Sequence, residues 1–348
     1  MRKNNNDESF YRCVREFLTV FLPRNKCYSH NTVKAYRDTI NLFRAFLSDK
    51  KGISFTGITF DLINHTLVYE FLVWLQEERR SSATTRNQRL AGLKSFLHYC
   101  AMENTTLTAV YLDIKKISTQ KKVSKVGVDY MTREALKAML GQPDPHIRYG
   151  VRNRFFMILM YDTGARIQEM LDLRLKDIFL EADMPCIYLT GKGNKTRAIP
   201  LMDKTILHLK EYLNTFHGNN PDGKEECLFY TIIKGKKGPM SPDNVACFLK
   251  KIAISAKLKC PEVPDNMHAH LFRHSRAMHL YQAGIPLSYI KDFLGHVSIN
   301  TTSIYATADM VMMKAALEKA VPKENDINGE LPIWKDNEDL ILKLCGLK

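Results

Sequence analysis

Between residues 104 and 128 the chain offers no apolar periodicity, and lysines take its place: Lys115, Lys116, Lys121, Lys122 and Lys125. Such a stretch has no face to give a core and reads as a basic linker. It limits the chain to two separately packed bodies. The length of 348 residues agrees, since it exceeds what one ordinary core organises.

Ahead of the linker, residues 8–104 read as a small helical bundle. Phe10, Val14, Phe17, Leu18 and Phe21 recur at helical spacing and Pro23 stops the run. Further helices are expected over 32–47, capped by Asn31, over 66–78, and over 83–102, capped by Ser81 or Ser82. The second carries Lys34 and Arg37 on its polar side, the last Arg86, Arg89 and Lys94. Polar helix faces of this kind are solvated surface or they enter a DNA groove, and the residues alone leave both readings open.

Beyond the linker, residues 129–320 read as a second domain, mostly helical. Helices are expected from Thr132 to Leu140 and from Arg152 to Thr163. Others follow over 204–215, 242–256, 270–283, 286–294, 299–306 and 308–320. Residues 186–190 and 197–201 are strand-like and flank Gly191-Lys192-Gly193-Asn194-Lys195, a hairpin signal. The fold class is therefore mainly α with a small β-hairpin or sheet. Residues 321–348 form a tail in which Trp334, Leu340, Ile341, Leu344 and Leu347 mark an amphipathic segment.

The net charge of +14 points to a polyanionic partner. The tail holds four lysines against six acidic residues, so it is −2 and the remaining body is +16. The eight cysteines are scattered without metal-ligand spacing, as expected of reduced thiols in a cytoplasmic protein. There is no apolar signal core and no run long enough for a membrane span.

The chemistry gathers in the second domain. A phosphodiester is shielded by its own charge, and planar guanidinium groups answer that by gripping two oxygens at once. Arg166 in Thr163-Gly164-Ala165-Arg166 and Arg273 in His270-Leu271-Phe272-Arg273-His274 are the candidates, with Glu169 placed to hold the stem of Arg166. His270 shares a helical face with Arg273. His296 follows in Leu294-Gly295-His296, and Tyr305 comes last. No cluster of acidic residues at metal spacing accompanies them, so no metal or other cofactor is expected.

In this order the residues resemble the tyrosine recombinase (phage integrase) family, specifically its short Xer-like members, over residues 10–320. The resemblance implies a SAM-like core-binding domain at 8–104, a linker at 105–128 and a catalytic domain at 129–320. It makes Tyr305 the nucleophile that forms a 3′-phosphotyrosyl link to DNA. Arg166 and Arg273 become phosphate clamps, His270 a manager of the tyrosine proton, His296 a donor to the phosphate, and Lys192 the acid for the leaving 5′-oxygen. Lys195 competes with Lys192 for that place or contacts DNA, as do Lys34, Arg37, Arg86, Arg89, Lys94 and Lys121. His274 is read as structural, and His268 and His279 as solvent or packing residues. The implied partners are double-stranded DNA core sites, three further copies of the chain in a tetramer on two sites, and an accessory DNA-bending or directionality protein. The tail docks either on its own domain or on a neighbouring protomer. The rival functions are a type IB topoisomerase and a non-catalytic DNA-binding regulator of recombinase descent.

Overall fold

The computed structural model describes residues 9–121, 128–191, 193–218, 223–296, 298, 301–306 and 337–347. The chain divides into two compact units, Met1–Ser124 and Lys125–Lys348.

The first unit is helical throughout. Helix α1 (Ser9–Glu16) runs on as a π-helix over Phe17–Asn25 with Pro23 inside it, so the proline does not stop the helix as its type suggests. The wider register is seen where the Lys26 N–H reaches back to the Phe21 carbonyl at 2.9 Å. A lost backbone donor is absorbed there rather than breaking the helix. Helix α2 spans His30–Lys51, and its cap is Ser29 rather than Asn31. Asn64 caps α3 (His65–Glu77) and Ser82 caps α4 (Ala83–Glu103). Rings dominate the core, with Phe10, Phe17, Phe43, Phe46, Phe71, Trp74 and Phe96 all buried. Gly92 lets α4 close on α2, since a Cβ there would stand 3.0 Å from Thr39.

The first half of the expected linker is not a linker. Residues 108–115 form α5 (Thr108–Lys115), and Ile114 and Ile117 are buried in the core of the first unit. Two isoleucines among the lysines are enough to anchor the segment, and the Asp113 carboxylate accepts from the His65 N–H at the start of α3. Residues 122–127 lie outside the described residues.

The second unit opens with α6 (Arg133–Leu140), capped by Thr132, and α7 (Arg148–Thr163), ended by Gly164 in the left-handed region at φ 56°. The short α8 (Ile167–Asp172) leads into an antiparallel sheet of β1 (Ile178–Phe179), β2 (Cys186–Thr190) and β3 (Thr196–Pro200), in that order. Ile187, Leu189 and Ile199 point into the core while Tyr188 and Ala198 face out. After α9 (Asp203–Phe216) comes a second hairpin, β4 (Tyr230–Ile233) with β5 (Lys236–Pro239). Its turn at Lys234 and Gly235 has positive φ at both residues, the geometry tight hairpins favour. Helices α10 (Pro242–Lys257), α11 (Ala269–Gln282), α12 (Leu287–Leu294) and α13 (Ser303–Ala306) follow. α7 lies against both α9 and α11, so the buried Phe155, Phe156 and Met160 pack with Tyr212, Phe229 and Phe272.

The expected helix over 308–320 lies outside the described residues, as does Trp334. The end of the tail forms α14 (Glu338–Leu344), capped by Asn337, with no buried side chain. Among the described residues no helix is long and apolar enough to cross a membrane.

Candidate active site

Two loops, strand β3 and helices α11 and α13 build the site. The first loop follows α7. Gly164 breaks that helix, and a Cβ at this position would meet the Leu294 side chain at 2.9 Å. The turn sets Arg166 at the N-cap of α8, where its guanidinium reaches Glu169 at 2.6 Å and the Gly295 carbonyl at 3.1 Å. Glu169 accepts from the Arg166 N–H at 3.0 Å as well.

The second contribution comes from β3. Arg197 donates to Glu169 at 2.7 Å and to the Phe293 carbonyl at 2.9 Å. Sequence reasoning missed this residue. The signal was present, because strand alternation puts Arg197 on the same side as buried Ile199, and an inward arginine needs a partner. Burial works to raise the Glu169 carboxyl, but Arg197 and the Arg166 N–H and guanidinium hold it down to about 2. Glu169 therefore stays a carboxylate that fixes two guanidinium groups.

Arg273, on α11, is 2% exposed. Its two terminal nitrogens donate to the Gly164 carbonyl at 2.7 Å and the Leu294 carbonyl at 2.8 Å. Those carbonyls precede Ala165-Arg166 and Gly295-His296, so one guanidinium ties together the two loops that carry the other candidates. Burial first, and the nearby Arg166 charge second, lower it to about 10, which still leaves it cationic at neutral pH.

His296 shares a 2.8 Å hydrogen bond with the Thr302 hydroxyl through Nδ1. Desolvation, then Arg273 and Arg166, bring its imidazole down to about 4. Tyr305 on α13 is 1% exposed, and burial raises its phenol while Arg273 partly opposes that. Its hydroxyl is paired with His274 Nδ1 at 2.9 Å. This differs from the sequence expectation, which gave the tyrosine proton to His270 and a structural role to His274. His270 stands one turn earlier on α11, its ring edge-on to His274 at 5.5 Å between centroids. Partial desolvation and the Arg273 charge lower His270. The physical reason is α-helical spacing: positions 270 and 274 share a face, and the later one lies level with α13.

Lys192 lies outside the described residues. Its turn is set by Gly193 and Asn194 at positive φ and by the Gly191 N–H donating to the Lys195 carbonyl at 2.9 Å. A Cβ on Gly191 would stand 2.7 Å from a Glu169 oxygen, so the hairpin starts directly over the Glu169–Arg166 pair. Lys195 is exposed.

In the first unit the cations separate into two groups. Lys34, Arg37 and Lys121 are exposed. Those of α4 are bound within the unit, Arg86 buried and Arg89 and Lys94 half-buried. Lys94 donates to the Lys115 and Ile117 carbonyls at 3.0 and 2.6 Å, closing the end of α5. Arg89 donates to the Ala35 carbonyl and the Thr39 hydroxyl of α2, and Arg86 is 4% exposed. The free carbonyls at a helix end and the close α2–α4 contact claim these donors first. The buried His279 pairs with the Tyr161 hydroxyl at 2.8 Å, and the exposed His268 with the Asn266 carbonyl at 2.8 Å.

A helical N-terminal unit, a helical second unit with a small sheet, and a guanidinium–imidazole–phenol cluster define the class of tyrosine recombinases. Residues 129–311 match the "Phage integrase family" and residues 15–104 the "Phage integrase, N-terminal SAM-like domain". The chain belongs to the phage integrase family. It is 28% identical over 310 residues to tyrosine recombinase XerD of Rickettsia bellii, covering 87% of this chain and 96% of that one. Its fold is similar to XerH site-specific recombinase, solved bound to palindromic difH substrate in a post-cleavage complex, at TM-score 0.64 and 22% identity over 91% of this chain and 90% of that one. A lambda integrase, solved as a tetramer bound to a Holliday junction, matches at TM-score 0.61 and 17% identity over 85% and 76%.

Proposed function

We propose that this chain is a site-specific DNA recombinase that cuts and rejoins strands through a 3′-phosphotyrosyl link at Tyr305. The observation that carries the reading is the pair of carbonyl contacts of Arg273, which brings the Arg166 loop and the His296 loop together beside Tyr305. Arg166 and Arg273 clamp the scissile phosphate and offset the charge that builds in the transition state. His270 and His296 face phosphate oxygens, Lys192 protonates the departing 5′-oxygen, and Glu169 holds Arg166 in place. Bond energy is kept in the phosphotyrosine, so no nucleotide is consumed.

Residues 8–104 are the core-binding domain, with exposed Lys34 and Arg37 reaching DNA phosphates. Lys121 and Lys195 add contacts outside it. Four protomers act on two core sites in the cytoplasm, integrating or excising a mobile element or resolving joined DNA circles. The likeness to recombinases seen on DNA, one of them tetrameric, supports that assembly. The test is strand exchange between two differently labelled duplexes carrying the sequences that flank the gene. Hybrid products without added metal support the reading, whereas relaxation of a supercoiled plasmid carrying the same sequences, with no exchange between the duplexes, makes the protein a topoisomerase.

A further inference from the structure

We propose that His274 is the base that takes the Tyr305 proton during cleavage and returns it during rejoining. The role rests on the recombinase reading and adds to it a catalytic residue beside the arginines, His270 and His296. Its ground is direct contact with the reacting atom: His274 Nδ1 is 2.9 Å from the Tyr305 hydroxyl, within the distance at which a proton passes. The two rings are held tilted, centroids 5.9 Å apart, by the packing of α11 on α13.

The surroundings give the contact a direction. Tyr305 is 1% exposed, so its phenol is withdrawn from bulk water and its proton needs an acceptor in the protein. Desolvation and the neighbouring His270, Arg273 and His268, opposed by Asp129, keep the His274 imidazole neutral at pH 7. In the neutral tautomer that carries its proton on Nε2, Nδ1 is the acceptor and the phenol the donor, and this is the tautomer the proposal requires. Arg273 meanwhile favours the phenolate that results, since its charge pulls the Tyr305 phenol down against burial.

The step balances without a further reactant. The Tyr305 oxygen bonds to phosphorus as the P–O5′ bond breaks, the phenolic proton moves to His274 Nδ1, and the 5′-oxygen takes a proton from the lysine acid proposed above. Rejoining runs the same transfers in reverse: the 5′-hydroxyl attacks, and the leaving phenolate recovers its proton from His274.

The experiment measures single-turnover cleavage of a nicked duplex carrying the native site, with Tyr305 either ordinary or replaced by a difluorotyrosine of lower phenol pKa. His274→Gln keeps polarity at the position but removes a base, and should slow cleavage by roughly 10²–10⁴-fold. Duplex binding and the melting temperature should hold. The fluorinated tyrosine, which gives up its proton more readily, should restore much of the lost rate. Cleavage by His274→Gln at the native rate or faster would reduce the contact to packing or to a restraint on the tyrosine. Slow cleavage that the fluorinated tyrosine does not restore would make His274 structural, and either result overturns the proposal. His274→Asn is the second variant if His274→Gln does not fold. A native protein that binds the duplex but forms no adduct at Tyr305 overturns the recombinase reading itself, an outcome distinct from the other two.

Discussion

Replacing Glu169 by glutamine isolates the electrostatic support of the site. The side chain is 3% exposed and accepts from Arg166 and Arg197, themselves 32% and 14% exposed. Burial alone would raise its carboxyl, yet those partners hold it at about 2 instead of the ordinary 4.5. That difference corresponds to about 3 kcal/mol of stability at neutral pH. Glu169→Gln removes the charge and sets an amide N–H against a guanidinium donor. For a unit of this size 1 kcal/mol moves the melting point by about 2–4 °C, so the variant should melt about 6–12 °C lower at pH 7. The sign with pH follows from the folded value lying below the unfolded one. The contribution is complete above about pH 4.5 and is lost as pH falls towards about 2, with about 2 kcal/mol left at pH 3.5. Thermal melts of both proteins at pH 7 and pH 3.5, followed by circular dichroism, measure it. A gap at pH 7 below 2 °C, or one that does not narrow at pH 3.5, would refute the reasoning.

Gly164→Ala should cost about 1–3 kcal/mol, from positive φ and from the 2.9 Å approach to Leu294, and should slow cleavage by displacing the carbonyl that Arg273 holds. Thermal melts and single-turnover cleavage read both effects. Lys94→Met should destabilise the first unit by about 1–3 kcal/mol through two lost hydrogen bonds to carbonyls, seen as a lower unfolding midpoint. It should leave the salt dependence of DNA binding unchanged, whereas Lys34→Ala and Arg37→Ala should each reduce that slope by about one. Acidification from pH 6.5 to 4 should lower the melting point, because the fold disfavours the protonated forms of His274 and His296 and the unfolded chain does not. Flattening of that limb in the double variant His274→Phe, His296→Phe is the check.

Much of the site could be read from chain order, since Arg166, His270, Arg273, His296 and Tyr305 each sit in a short motif whose sequence matters more than its surroundings. Local rules also narrowed the α4 cap to Ser81 or Ser82, of which Ser82 serves, and placed the Thr132 cap and the β2–β3 hairpin, because each depends on neighbours a few positions away. What escaped depends on distant partners. Arg197 acquires its role from Glu169 and from Phe293, far along the chain, and Lys94 from carbonyls at the end of α5. Helix α5 was hidden because Ile114 and Ile117 are few among many lysines, though their burial decides the segment. The contact of His274 with Tyr305 depends on where α13 meets α11, which no residue type announces.

The central claim is that Tyr305 attacks the DNA backbone in a pocket of fixed side-chain cations. The most direct test incubates the protein with a nicked duplex from the flanking DNA in excess chelator, digests the covalent product and maps the modified peptide by mass spectrometry. The account predicts a nucleotide phosphate on Tyr305 itself, with no adduct from Tyr305→Phe although that variant still binds the duplex. A phosphate on another residue, or cleavage that persists in Tyr305→Phe, would contradict it.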